Sequence, residues 1–301
     1  MTTHIGPFEF VDPLPELREP RMLVVLQPWI DVGSVGTMTL AFLGETLNAE
    51  PLGQLSRPGR FFDFTRYRPM LSRENGERKV TVPNARMHHA RGQDGGPDWI
   101  FTHMLEPHNN GEEFVEGLIE VVGRLGVREY VMLGSMYAPV PHTRRPVATG
   151  GSSDPEMRKK LLANAVRESN YEGPTTILAI MGTSGPSLGI ETTTMILQLP
   201  AYAQVERDYM GLQASLELMT NLYGLDLEID PVREEADRQR QALDETASED
   251  ARLQVWLKEL ELAYDMEARQ QPDEEPESPP LSPSLEKFLH EVEQRWDQPQ
   301  S

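Results

Sequence analysis

Over its first 230 residues the chain alternates short, unbroken apolar runs with stretches of helical periodicity. RMLVVLQPW (21–29) reads as a buried strand. SVGTMTLAFLGETL (34–47) behind it reads as a helix, with Val35, Met38, Leu40, Phe42 and Leu43 apolar. PGRFFDF (58–64) and ERKVTVP (77–83) are shorter strand candidates, and Asn75-Gly76 between them is a hairpin signal. DWIFTHML (98–105) is a strand. GEEFVEGLIEVVGRLG (111–126) is an amphipathic helix with Phe114, Leu118, Ile119, Val122 and Leu125 on one side and Gly126 as its C-cap. REYVMLGSM (128–136) is a strand. DPEMRKKLLANAVRESN (154–170) is a helix with Asp154 as N-cap and Pro155 at its first position. TTILAIMG (175–182) reads as a strand, GIETTTMILQLPAYA (189–203) as helix then strand, and QASLELMTNLYGL (213–225) as a helix ending at Gly224.

Alternation of this kind, with several continuously apolar strands, indicates an α/β domain. Its sheet is mostly parallel or mixed and has helices on both faces. Sites on such sheets lie at the carboxyl ends of the strands.

The pattern changes near Asp230–Pro231. Residues 231–270 read as two helices with a break around Thr246–Ser248, the second carrying Leu253, Trp256, Leu257, Leu260 and Tyr264 on one stripe. QPDEEPESPPLSP is an acidic, proline-rich linker, placed near 270–284 and too polar to bury a core. A last amphipathic helix follows, with Leu285, Phe288, Leu289, Val292 and Trp296 in register. The expected organisation is a core domain over 1–230 and an acidic helical tail over 231–301.

Charge sharpens that division. The chain carries −20 in all, of which −11 falls in the last 71 residues. A negative field of this size repels phosphate backbones and anionic lipid, so neither nucleic acid nor membrane is an expected partner. There is no cysteine, which removes thiol nucleophiles and thiolate metal sites. The N-terminus MTTHIGPFEF has no basic segment followed by an apolar one, and no apolar run approaches a spanning length, so a cytoplasmic location is expected.

Candidate chemistry lies in four loops. In PWIDVGSVG (28–36), Asp31 accompanies Gly33 and Gly36, which free backbone N–H groups for an anion or simply allow a tight strand-to-helix turn. In LGSMYAPVPHTRRPVATGGSS (133–153), Gly134 precedes a long proline-bearing stretch with His142 and Thr143. MGTSGPSLGIE (181–191) offers Gly182 and Ser184, and HMLEPHNNGEEF (103–114) offers Glu106. If the loops converge at one rim, Asp31, Glu106, His142 and Ser184 share a pocket. No standard metal spacing occurs, HExxH and the Walker and GxSxG patterns are absent, and neither a metal nor a cofactor is expected.

Three segments at these loops, in order, resemble the proteasome assembly chaperone 2 family in its archaeal and actinobacterial forms. They are LVVLQPWIDVGSVGTMTLAFLGETL, the stretch through GSMYAPVPHTRRP (134–146), and GPTTILAIMG to LDLEID (173–230). The resemblance implies a phosphorylase/hydrolase-like α/β core with a C-terminal helical extension and self-association as a homotrimer. It also implies a non-enzymatic binding or assembly role, with the C-terminal helices available to a protein-complex partner. Relatives that dock on a proteasome use a terminal hydrophobic–tyrosine–any-residue tail. This sequence ends DQPQS without it, so direct docking is not expected. The alternative reading is a small-molecule hydrolase or transferase with its pocket at the strand ends.

Overall fold

The computed structural model describes residues 2–169 and 171–269. Ten strands form one sheet. In chain order they include β1 (Thr3–Ile5), β2 (Phe8–Phe10), β3 (Arg21–Gln27), β4 (Glu50–Leu55), β7 (Arg86–Ala90), β8 (Trp99–Leu105), β9 (Glu129–Ala138), β10 (Ala148–Ser152), β11 (Val166–Glu168) and β12 (Glu191–Pro200). Their spatial order is β1-β2-β4-β7-β8-β3-β9-β12-β10-β11. The four middle strands, β8-β3-β9-β12, are parallel to one another. The β1 side is antiparallel throughout, and β10 joins β12 antiparallel. The sheet is therefore mixed around a parallel centre. A separate hairpin, β5 (Met70–Glu74) and β6 (Glu77–Thr81), turns at Asn75-Gly76, both with positive φ as a type I′ turn requires.

Helices cover both faces. On one face, α2 (Gly111–Arg124) and α4 (Ile177–Ser184) bury Phe114, Leu118, Val122, Leu178 and Met181 against Met22, Val24 and Leu26 of β3 and Ile100 and Met104 of β8. On the other, α1 (Val35–Thr46), α3 (Pro155–Ala163) and α5 (Tyr209–Tyr223) pack on Leu23 and Val25, Val131 and Leu133, and Met195, Leu197 and Leu199. Alternate side chains of β3 thus feed two cores, which is why its sequence is apolar without a break. The MILQL run of β12 is core strand.

Two further helices follow, α6 (Asp230–Glu249) and α7 (Ala251–Arg269), separated at Asp250. The acidic residues that begin at Asp230 open α6, which lies against α5 and buries Val232 and Ala236. The first compact unit runs from Met1 to Glu261, and the remainder of α7 belongs to a second. The linker and the last amphipathic helix read from the sequence lie outside the described residues. No helix among the described residues is long and apolar enough to cross a membrane.

Several elements differ from the sequence reading. TTILAIMG is not a strand. Ile177, Leu178 and Met181 are buried while Ala179 and Ile180 face outward, a one-sided pattern at helical spacing, and the segment forms α4. PGRFFDF is a single 3-10 turn (Pro58–Arg60) followed by two adjacent buried phenylalanines, of which Phe61 packs edge-on against Phe114. Helix α3 stops at Ala163, since Ala165 has φ +58, and VRE becomes an edge strand. The glycine-rich ATGGS of the long loop is β10, whose Gly150 lies so close to β12 that a Cβ would stand 1.8 Å from the Thr194 carbonyl oxygen.

Candidate functional site

The parallel centre of the sheet brings the ends of β3, β8, β9 and β12 to one rim, and three of the expected residues meet there. The chain leaving β3 crosses the end of β9, with Ser135 N–H donating to the Ile30 carbonyl (2.8 Å) and Ser135 Oγ to the Val32 carbonyl (2.7 Å). Gly134 permits the crossing, because a Cβ there would stand 2.7 Å from the Ile30 oxygen. Gly33 has φ +60, and a Cβ there would stand 2.7 Å from Cβ of Asp208. The loop glycines are therefore spent on chain-to-chain contact. The space next to Gly33 holds a carboxylate side chain, which is unfavourable for an anion.

Asp31 is 7% exposed and fully engaged. Its carboxylate accepts from Thr37 Oγ (2.6 Å), Thr37 N–H (3.2 Å) and Gln27 Nε2 (3.0 Å). Gln27 also donates to Thr37 Oγ, and its Oε1 takes a hydrogen bond from His103 Nε2 at 3.0 Å. Each donor in this set finds an acceptor when His103 is neutral with its proton on Nε2. Burial pushes the His103 pKa down, against the pull of Asp31 upward, with Arg86 adding to the depression.

That depression has a measurable consequence. A histidine whose folded pKa lies below the ordinary 6.5 binds fewer protons folded than unfolded, so its contribution to stability is complete above pH 6.5 and is lost as pH falls toward the folded value. His88 and His89 are depressed for the same leading reason, burial. Stability measured by urea unfolding is expected to fall as pH drops below 6.5, and His103→Gln to show a shallower fall. An unchanged slope in that variant would show that His103 is not in the environment described.

Glu106 lies apart from Asp31 in function, though its backbone N–H donates to the Gln27 carbonyl at 2.9 Å. Its Oε1 receives the N–H of Ile177 (3.0 Å) at the first turn of α4, where a carboxylate complements the helix N-terminus. Its Oε2 is buried without a partner among the described residues, and burial raises the pKa. Gly182 and Ser184, expected in a strand-end loop, are helical residues of α4, and Ser184 Oγ donates back to the Ile180 carbonyl.

His142 forms a second cluster. Its ring is wholly covered, Nδ1 lies 2.6 Å from the Tyr202 hydroxyl, and Nε2 lies 3.1 Å from Asp244 of α6. The Asp244 carboxylate can only accept, so Nε2–H donates to it, and a neutral ring then leaves Nδ1 to accept the Tyr202 proton while that hydroxyl accepts from His142 N–H at 2.8 Å. Burial pushes the Tyr202 hydroxyl up to about 12, so it stays a donor. Next to it, Thr143 Oγ donates to Glu261 of α7 at 2.5 Å, and Arg144 reaches the same carboxylate at 3.4 Å. The proline-rich loop is thus clasped to α6 and to the first half of α7.

Sequence reasoning missed Gln27, Thr37, Tyr202, Asp208, Asp244 and Glu261. Asp208 alone carried a legible signal, as an acidic N-cap before α5, where its Oδ1 accepts the Gly211 N–H at 2.7 Å. Among the described residues no group of three histidine, aspartate or glutamate side chains is placed to hold a metal ion.

Comparison with known proteins gives a consistent picture. The profile of the PAC2 family matches residues 25–247, from within β3 to near the end of α6. A PAC2 family protein from Streptomyces avermitilis is 24% identical, with a TM-score of 0.71 over 79% of this chain and 99% of that one. A proteasome-assembly chaperone homologue from Mycobacterium tuberculosis is 22% identical, with a TM-score of 0.70 over 79% and 99%. An archaeal proteasome activator from Pyrococcus furiosus is 17% identical, with a TM-score of 0.61 over 81% and 98%. No curated protein matches the sequence. These likenesses share the mixed sheet and its helical layers, and the family match spans the strand-end rim and the clasped loop: the chain belongs to the PAC2 family.

Proposed function

We propose that this protein is a non-catalytic, proteasome-assembly-chaperone-like protein of the cytoplasm that self-associates as a homotrimer and holds subunits of a multi-subunit complex. One observation carries the reading. The polar side chains that would do chemistry at the strand ends are engaged with one another and covered: Asp31 by Gln27 and Thr37, His142 by Tyr202 and Asp244. A general base must reach the proton it abstracts, and an enclosed histidine between two internal partners does not. Large apolar side chains stand exposed elsewhere, on the β5–β6 hairpin and along α7, where Val255, Leu262 and Met266 recur at i, i+7 and i+11. The Mycobacterium and Pyrococcus relatives point to a proteasome as the complex.

Incubation of the purified chain with nucleosides plus phosphate, phosphate esters and small peptides is expected to give no turnover. Light scattering is expected to give the mass of three chains. Turnover that disappears with His142→Ala overturns the non-catalytic reading and restores the hydrolase or transferase alternative.

A further inference from the structure

The β5–β6 hairpin is a poor structure for a free monomer. All ten of its strand residues are exposed, with Met70 at 68%, Leu71 at 62% and Val80 at 63%. A lone two-stranded hairpin is marginal in water at best. Its register adds little: Leu71 faces Val80 and Arg73 faces Arg78, whereas Glu74, opposite Glu77, is answered by Lys79 at 2.8 Å. Directly opposed like charges repel, and the opposed apolar pair gains little while it stays wet. Alternation puts Leu71 and Val80 on one face with Arg73 and Arg78, so that face is apolar at its base and doubly cationic toward its tip. Residues 66–80 hold five basic and two acidic side chains, a local +3 in a chain of −20.

The complement is present on the same chain. Helix α2 displays Glu112, Glu116 and Glu120 at i, i+4 and i+8, all exposed and with no ion pair among the described residues. Like charges at that spacing destabilise a helix unless a cation answers them. Glu116 and Glu120 wall a groove of about 350 Å³ that also meets Pro7 and Phe61. Arg57 and Arg60 line it too, and Arg60 is already paired with Glu113 at 2.8 Å.

We propose that the β5–β6 hairpin is an arm that docks on the acidic ladder of α2 in a second copy of the chain. Arg73 and Arg78 lie against Glu116 and Glu120, and Leu71 and Val80 pack toward Pro7 on the wall of the groove. The arm and the ladder are different surfaces, so the contact is heterologous and closes copies into a ring when the rotation allows. The inference rests on the self-association proposed above and names its interface.

The test is sedimentation velocity and native mass spectrometry on the full chain and three variants. Arg73→Glu/Arg78→Glu is expected to weaken association by at least about tenfold, since it places four like charges together. Glu116→Arg/Glu120→Arg is expected to do the same, and the combination of all four substitutions to regain most of the lost affinity. Each changed side chain is exposed, so melting temperatures of the dissociated chains should match. A wild-type chain that is monomeric overturns the self-association itself. An oligomer indifferent to either charge reversal, or a fourfold variant that stays dissociated, overturns the arm while leaving self-association in place.

Discussion

Glu129→Ala is expected to lower the unfolding free energy by about 3 kcal/mol, the largest single-site effect outside the apolar core. Glu129 is 4% exposed at the start of β9, at the opposite end of the strands from the candidate site. Its Oε1 accepts from Thr193 of β12 (2.8 Å) and from the Tyr223 hydroxyl of α5 (2.9 Å), and its Oε2 meets Arg21 of β3 at 3.2 Å. Arg21 in turn lies 5.0 Å from the Tyr223 ring centre and 5.8 Å from that of Trp99. One carboxylate therefore joins three strands and a helix. Its removal strands the Arg21 guanidinium and the Tyr223 hydroxyl, while Thr193 keeps Ser152 at 3.1 Å, and an orphaned buried group costs more than the bond it made. The lower end of the usual range applies because Arg21 keeps 27% of its side chain exposed. Burial raises the Glu129 pKa, with the hydrogen bonds from Thr193 and Tyr223 pulling it down. Glu129→Gln keeps the shape and the acceptor, and should lose roughly half as much. Denaturant unfolding measures both. A loss below about 1 kcal/mol for the alanine variant would put Glu129 in the class of exposed ion pairs, contrary to its burial.

His142→Ala is expected to cost about 2–3 kcal/mol, from a cavity and two lost hydrogen bonds. Asp244 is 54% exposed, so little of this comes from the charged end; most comes from the enclosed ring and from the Tyr202 hydroxyl left buried without its acceptor. The loss should be local. The ring ties the proline-rich loop to α6, and the Thr143–Glu261 bond beside it is the next fastening. The sheet beneath is held by other contacts and should keep its structure. Circular dichroism at room temperature is expected to remain near wild type while the melting transition moves down.

Much of the architecture was legible because the middle strands are long and apolar. RMLVVLQ feeds two cores and can hardly be anything else, and Asp154, Gly224 and Asn75-Gly76 mark ends and turns by their own backbone chemistry. The short strands toward the two ends of the sheet were not legible. THI, FEF and VRE are three residues each, too short for a period, and ATGGS is a strand only because β12 approaches its glycines. TTILAIMG failed for another reason: a short apolar run has the same composition in a strand and in a buried helix, and only its one-sided burial separates them.

The site divided along similar lines. Asp31, Gly33, Gly134 and His142 stood out as residue types in a loop. What they do depends on partners far along the chain: Asp208 lies against Gly33, Tyr202 is 60 residues from His142, and Asp244 is 102. Pairings at that separation leave no mark in a single sequence. Without them a histidine in a long loop looks like a base, whereas with them it is a fastener.

That contrast is the centre of the account, and hydrogen exchange on His142→Ala tests it most directly. If His142 is a clasp, amides of α6 and of α7 up to Glu261 exchange faster in the variant, while those of β3, β9 and β12 keep wild-type protection. An exchange pattern identical to wild type throughout α6 and α7 would contradict the account and return His142 to the list of residues in search of a ligand.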